Sequence, residues 1–121
     1  MKILIVEDNL MNLDLARDLL ELAGYEVIQA TTAYDGIMTA QQETPDLILM
    51  DIGLPGMDGL AATAILKQTT KTRNIPVIVL TAHAMQGDEQ KALAAGCLAY
   101  MIKPIDTRNF AQTITRYLNG K

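Results

Sequence analysis

With 121 residues, half of them hydrophobic and a fifth charged, the chain is long enough for one buried core and too short for two ordinary domains. A net charge of -4 without any Lys/Arg cluster excludes a general nucleic-acid binder, and the longest apolar runs are strand-sized, so no membrane insertion is expected. The single cysteine, Cys97, cannot make an internal disulfide and suits a reducing compartment, and the first strand-like run starts too early for a signal peptide, so a cytoplasmic protein is expected.

Residues 2–6 predict a first strand and 10–23 a first helix, with Asn9 as its cap and Gly24 as its stop. Within that helix Leu13, Ala16, Leu20 and Ala23 recur at helical spacing, while Asp14, Arg17, Asp18 and Glu21 fall elsewhere. A second strand follows over 26–30 and a second helix over 33–42, before Pro45-Asp46 breaks the chain into a third strand over 47–51. The segment 53–59 is the most loop-like of the chain, and Asp58-Gly59 reads as entry to a third helix over 60–68. A polar connection over 69–74 leads to a fourth strand over 75–80, with Pro76 tolerated near its start. Residues 89–95 belong to a fourth helix ended by Gly96, 98–103 to a fifth strand, and 107–118 to a last helix with Phe110, Ile114 and Tyr117 on one side.

Strand and helix alternate throughout, which implies right-handed crossovers and a parallel sheet covered on both faces. The nearly continuous apolar strands agree, because strands buried on both sides lose their two-fold alternation. The expected fold is α/β, a doubly wound sheet of five parallel strands with five helices, forming one domain over residues 1–121.

The ends of four strands carry the chemistry. Ile3-Leu4-Ile5-Val6 runs into Glu7-Asp8, Leu47-Ile48-Leu49-Met50 into Asp51, Val77-Ile78-Val79-Leu80 into Thr81, and Tyr100-Met101-Ile102 into Lys103-Pro104. In an open α/β sheet ligands bind at the carboxyl ends of the strands. A carboxylate at the tip of a buried strand opposes folding unless something compensates it. If strands one and three are neighbours, as in the order 2-1-3-4-5, Glu7, Asp8 and Asp51 converge and repel one another. A divalent cation resolves that conflict, and an all-oxygen site with few carboxylates suits Mg²⁺, with Mn²⁺ as the alternative ion. Asp51 can then act as a nucleophile toward a phosphoryl donor. The metal and the Lys103 ammonium supply positive charge to the transferred oxygens, and the Thr81 hydroxyl donates to one of them.

The pair Glu7-Asp8, the segment Leu49-Met50-Asp51-Ile52-Gly53-Leu54-Pro55-Gly56-Met57-Asp58-Gly59, the step Leu80-Thr81-Ala82 and the tail Lys103-Pro104-Ile105 together resemble the receiver domains of two-component response regulators, from end to end of the chain. The resemblance implies the flavodoxin-like receiver fold and a phosphorylation switch in place of a turnover enzyme. It implies Asp51 as phosphoacceptor, taking a phosphoryl group from a histidine kinase or histidine phosphotransfer protein. Asp8, Asp51 and the Gly53 carbonyl are then expected on Mg²⁺ with Glu7 helping through water, Thr81 and Lys103 on the phosphoryl group, and Tyr100 as an aromatic switch moving inward with Thr81. The Lys103-Pro104 bond is expected to be cis. The output surface is expected at the fourth helix, fifth strand and fifth helix, acting on a downstream protein target as a monomer or as a phosphorylation-dependent dimer.

Three positions depart from the common pattern: the acidic pair is Glu-Asp rather than Asp-Asp, position 53 is Gly, and position 83 is His. The first is expected to shift metal geometry slightly without abolishing binding, and the other two to tune phosphoryl lifetime. A stand-alone regulator, with no DNA-binding or enzymatic domain after Lys121, is expected; Glu7-Asp8-Asn9 with Asn12 also resembles receivers attached to hybrid histidine kinases, and a receiver excised from a larger response regulator or hybrid histidine kinase is the alternative. A phosphohydrolase with an Asp nucleophile is the enzymatic alternative, but it wants a second Asp where Gly53 stands. A nucleotide- or flavin-binding domain wants a Gly-rich first turn where this chain has acids.

Overall fold

In the computed structural model, which describes residues 1–81 and 88–120, the five apolar runs form one parallel sheet in the order β2-β1-β3-β4-β5. The elements alternate along the chain as β1 (Lys2–Val6), α1 (Leu10–Leu22), β2 (Glu26–Ala30), α2 (Ala33–Glu43), β3 (Leu47–Asp51), α3 (Gly59–Gln68), β4 (Val77–Thr81), α4 (Asp88–Ala94), β5 (Ala99–Ile102) and α5 (Phe110–Gly120). The interior strands β3 and β4 are buried at every position, while β2 and β5, at the edges, are only partly covered. This is the flavodoxin-like, doubly wound arrangement.

Strand alternation divides the core in two. Leu4, Val6, Ile48, Met50, Val77 and Val79 face α2, α3 and α4 through Ile37, Ala62, Leu66 and Ala92. Ile3, Ile5, Leu47, Leu49, Ile78 and Leu80 face α1 and α5 through Leu13, Leu20, Phe110 and Ile114. Cys97 is buried in the first cluster, where burial pushes its thiol up from the ordinary value, in keeping with a small packed apolar residue.

Local chemistry fixes the element ends. The Asn9 side chain accepts from the Asn12 N–H at 3.0 Å, capping α1 as its residue type suggests. At the other end the Gly24 N–H donates to the Glu21 carbonyl at 3.0 Å and the Tyr25 N–H to the Leu20 carbonyl at 3.1 Å, with Gly24 left-handed at φ +97°. That cap ends α1 at Leu22, so Ala23 lies outside the helix and is exposed instead of joining the buried stripe.

Three other boundaries differ from the periodicity. β4 starts at Val77, because the Ile75 N–H closes a turn onto the Thr72 carbonyl and Pro76 has no N–H to give the ladder, and it includes Thr81, which pairs with Ile102 of β5. β5 is shorter than the run 98–103. α5 begins at Phe110, since the Asp106 carboxylate accepts from the Arg108 N–H at 3.0 Å and the Asp106 carbonyl accepts from Asn109 and Phe110, forming a separate turn ahead of the helix.

Candidate functional site

Because β1 pairs with β3 and β3 with β4, with Val6 opposite Met50 and Asp51 opposite Leu80, the C-terminal ends of these strands lie side by side. The turn after β1 therefore brings Glu7 and Asp8 beside Asp51, and one carboxylate oxygen from each of the three lies within 4.8 Å of the others. Glu7 and Asp51 are buried, whereas Asp8 is exposed at the mouth of the cluster.

Lys103 enters from the end of β5. Its Nζ stands 2.7 Å from Glu7 Oε1 and 3.1 Å from Asp51 Oδ1, bridging the two buried carboxylates. Backbone bonds hold each partner in place. The Asn9 N–H donates to Glu7 Oε2 at 3.2 Å, and the Gly53 N–H donates to Asp51 Oδ1 at 3.2 Å. The Lys103 N–H donates to the Thr81 carbonyl at 2.7 Å, which ties the two strand ends together. The Lys103-Pro104 peptide is cis, as the receiver resemblance implied.

Burial pushes the Glu7 carboxyl above its ordinary value, and the Lys103 and Asn9 hydrogen bonds, which act the other way, do not offset it. One ammonium shared between two carboxylates cannot neutralise both. Burial alone would lower the Lys103 ammonium, but the bonds and charges of Glu7 and Asp51 outweigh it and hold it above its ordinary value. A raised Glu7 pKa contributes stability that is present below the unfolded value of 4.5 and lost as pH rises through the folded value. Urea unfolding in EDTA is thus expected to show the wild-type protein losing stability relative to Glu7→Gln as pH rises from that value. Parallel curves would contradict this.

Thr81 is buried at the end of β4, next to β3. Tyr100 pairs in register with Val79, so alternation puts it on the same sheet face as Thr81, half-buried against the α2–α4 side of the core. A side chain at position 53 would begin 4.0 Å from Asp51 Oδ1, so glycine leaves the carboxylate open on that side. Ala82, His83 and Lys121 lie outside the described residues. The sequence did not reveal the direct Glu7–Lys103 ion pair. No spacing in the sequence marks that pair, which joins the turn after β1 to the end of β5.

The family model for the response regulator receiver domain matches residues 3–115. The chain belongs to that family. The polar-differentiation response regulator DivK of Brucella ovis is 47% identical over 116 residues, covering 96% of this chain and 94% of the relative. The receiver domain of a sensor histidine kinase from Pseudomonas aeruginosa PAO1, solved with a magnesium ion coordinated in its active-site cleft, superposes with a TM-score of 0.89 at 34% identity, covering 98% of each chain. A CheY-like receiver from Methanospirillum hungatei gives a TM-score of 0.89 at 33% identity, covering 98% of this chain and 93% of the other. The protein is thus a receiver domain of the two-component type, a class of regulators.

Proposed function

We propose that residues 1–121 act as one receiver unit in which Asp51 accepts a phosphoryl group from a phosphohistidine on a histidine kinase or a histidine phosphotransfer protein. The observation that carries this reading is the buried Asp51 carboxylate beside two further acids and bonded to the Lys103 ammonium. In the transfer an Asp51 carboxylate oxygen forms a bond to phosphorus while the P–N bond breaks, its electron pair staying with the imidazole nitrogen. Lys103, already 3.1 Å from Asp51, turns its charge to the transferred oxygens, and the Thr81 hydroxyl donates to one of them.

The donor set fits a divalent cation: three carboxylates, all oxygen, one of them exposed for entry. Asp8, Asp51 and the Gly53 carbonyl would hold Mg²⁺, or Mn²⁺, with Glu7 acting through water. Bound there, the ion would supply positive charge against the phosphoryl oxygens. Between transfers Lys103 takes part of that role.

Phosphorylation then draws Thr81 and Tyr100 inward and shifts the population of the α4-β5-α5 surface, which meets a downstream protein. Exposed Leu93 of α4 and Ile102 of β5 support a protein-binding role, as a monomer or a phosphorylation-dependent dimer. Among the described residues no helix is long and apolar enough to cross a membrane, and a cytoplasmic site of action fits the reading. The test is incubation with acetyl phosphate, read by intact mass. A gain of one phosphoryl group with Mg²⁺ and none in EDTA is expected; no gain in either sample overturns the proposal.

A further inference from the structure

Gly59 opens α3 where the helix meets the end of β3, and the approach leaves no room for a side chain. A Cβ on Gly59 would stand 2.4 Å from the Asp51 carbonyl oxygen, 2.9 Å from Ile52 Cα and 3.0 Å from the Asp51 carbonyl carbon. All three are backbone atoms, so no side-chain rotation relieves the clash. At Gly36, by contrast, the nearest atom is Val6 Cγ2 at 2.7 Å, the end of a side chain.

Neither partner at Gly59 is free to step aside. The Ile52 N–H donates to the Leu80 carbonyl at 2.9 Å and the Gly59 N–H to the Ile52 carbonyl at 3.2 Å, which ties Ile52, the residue after Asp51, to β4 on one side and to α3 on the other. The helix is held in turn. Thr63 Oγ1 donates to the Gly59 carbonyl at 2.8 Å, the Asp58 side chain accepts from the Ala61 N–H at 2.8 Å, and Ala62 and Leu66 are fully buried.

We propose that Gly59 is a positioning residue for Asp51: its missing side chain sets where the Asp51 main chain, and with it the Asp51 carboxylate and the Gly53 carbonyl, stands relative to Asp8 and Lys103. Any larger residue displaces residues 51–53 within a site whose groups must converge to within a few tenths of an ångström. The proposal rests on the receiver reading of Asp51, but its test does not depend on phosphoryl transfer alone.

Gly59→Ala is compared with Ile114→Ala, which removes a fully buried side chain on the opposite face of the sheet and lowers stability without touching the site. Calorimetric Mg²⁺ titration of the folded proteins is expected to show the dissociation constant rising about 10–100-fold in Gly59→Ala and unchanged in Ile114→Ala. In metal-free NMR spectra the amide signals of residues 51–53 move in the first variant only. Wild-type Mg²⁺ affinity in Gly59→Ala, or an equal loss in Ile114→Ala, overturns the proposal. If Gly59→Ala does not fold, Thr63→Ala releases the Gly59 carbonyl without adding an atom. It is then expected to weaken Mg²⁺ binding, with Thr63→Ser restoring it, and unchanged affinity across that pair overturns the proposal. Failure of the wild-type protein to take up a phosphoryl group would sink the phosphoacceptor reading of Asp51, while the amide signals would still decide the role of Gly59.

Discussion

Asp51→Asn is expected to take up a phosphoryl group from acetyl phosphate at less than about 10⁻³ of the wild-type rate, because the amide offers no carboxylate nucleophile. The substitution is nearly isosteric, and Lys103 keeps its 2.7 Å bond to Glu7, so the strand ends stay together. The variant also removes one of two buried negative charges that share a single ammonium. Its metal-free melting temperature is therefore expected to equal or exceed that of the wild-type protein, as follows when a site residue is kept for function at a cost in stability. Intact mass and thermal unfolding in EDTA together separate loss of the nucleophile from loss of the fold. Uptake by Asp51→Asn at the wild-type rate would move the phosphoacceptor elsewhere.

Lys103→Ala has two expected consequences with one cause. The ammonium is the only side-chain cation bonded to the acidic cluster among the described residues, so its removal is expected to withdraw charge stabilisation from the transferred oxygens and to lower uptake about 10²–10³-fold. It also leaves Glu7 and Asp51 buried without their cation, and breaking a buried pair by deleting one partner costs about 3–5 kcal/mol. The variant should accordingly unfold at lower urea than the wild-type protein in EDTA, and recover more of that loss on addition of Mg²⁺, since a divalent cation at the cluster replaces the missing charge. An unfolding midpoint unchanged in EDTA would mean that the bridge seen between Glu7 and Asp51 contributes nothing to the fold.

Most of this architecture is legible in the residues because the strongest signals are local or periodic. The strand order of chemistry, Glu7-Asp8, Asp51, Thr81 and Lys103, follows from apolar runs that each end in a reactive group. Asn9 and Gly24 announce the ends of α1 through backbone needs that few other residues meet. What the sequence misplaces depends on bonds between parts of the chain with no periodic mark. Ala23 keeps helical spacing yet falls outside α1, because the Gly24 and Tyr25 amides turn the chain back one residue earlier. The start of α5 moves to Phe110 because Asp106 organises its own turn first. Pro76 and the Ile75 turn delay the start of β4, and pairing with Ile102 of β5 carries its end to Thr81.

The site shows the same division. Residue types and spacing bring Glu7, Asp8 and Asp51 together, but which oxygen meets which donor depends on how the strand ends meet. Glu7 bonds Lys103 directly across the ends of β1 and β5, a contact that hydrophobic pattern cannot encode. Gly59 was readable as helix-entry chemistry, yet the reason no other residue fits, a Cβ 2.4 Å from the Asp51 carbonyl oxygen, exists only once α3 is packed against β3.

The most direct test of the central claim is to locate the phosphoryl group. The protein is phosphorylated with acetyl phosphate and Mg²⁺, reduced with borohydride, which converts an acyl phosphate to the corresponding alcohol, and digested for peptide mass analysis. Reduction is expected at position 51 and at no other carboxylate. Reduction at Asp8 or Glu7, or none at all in protein that has gained phosphoryl mass, would overturn Asp51 as the phosphoacceptor.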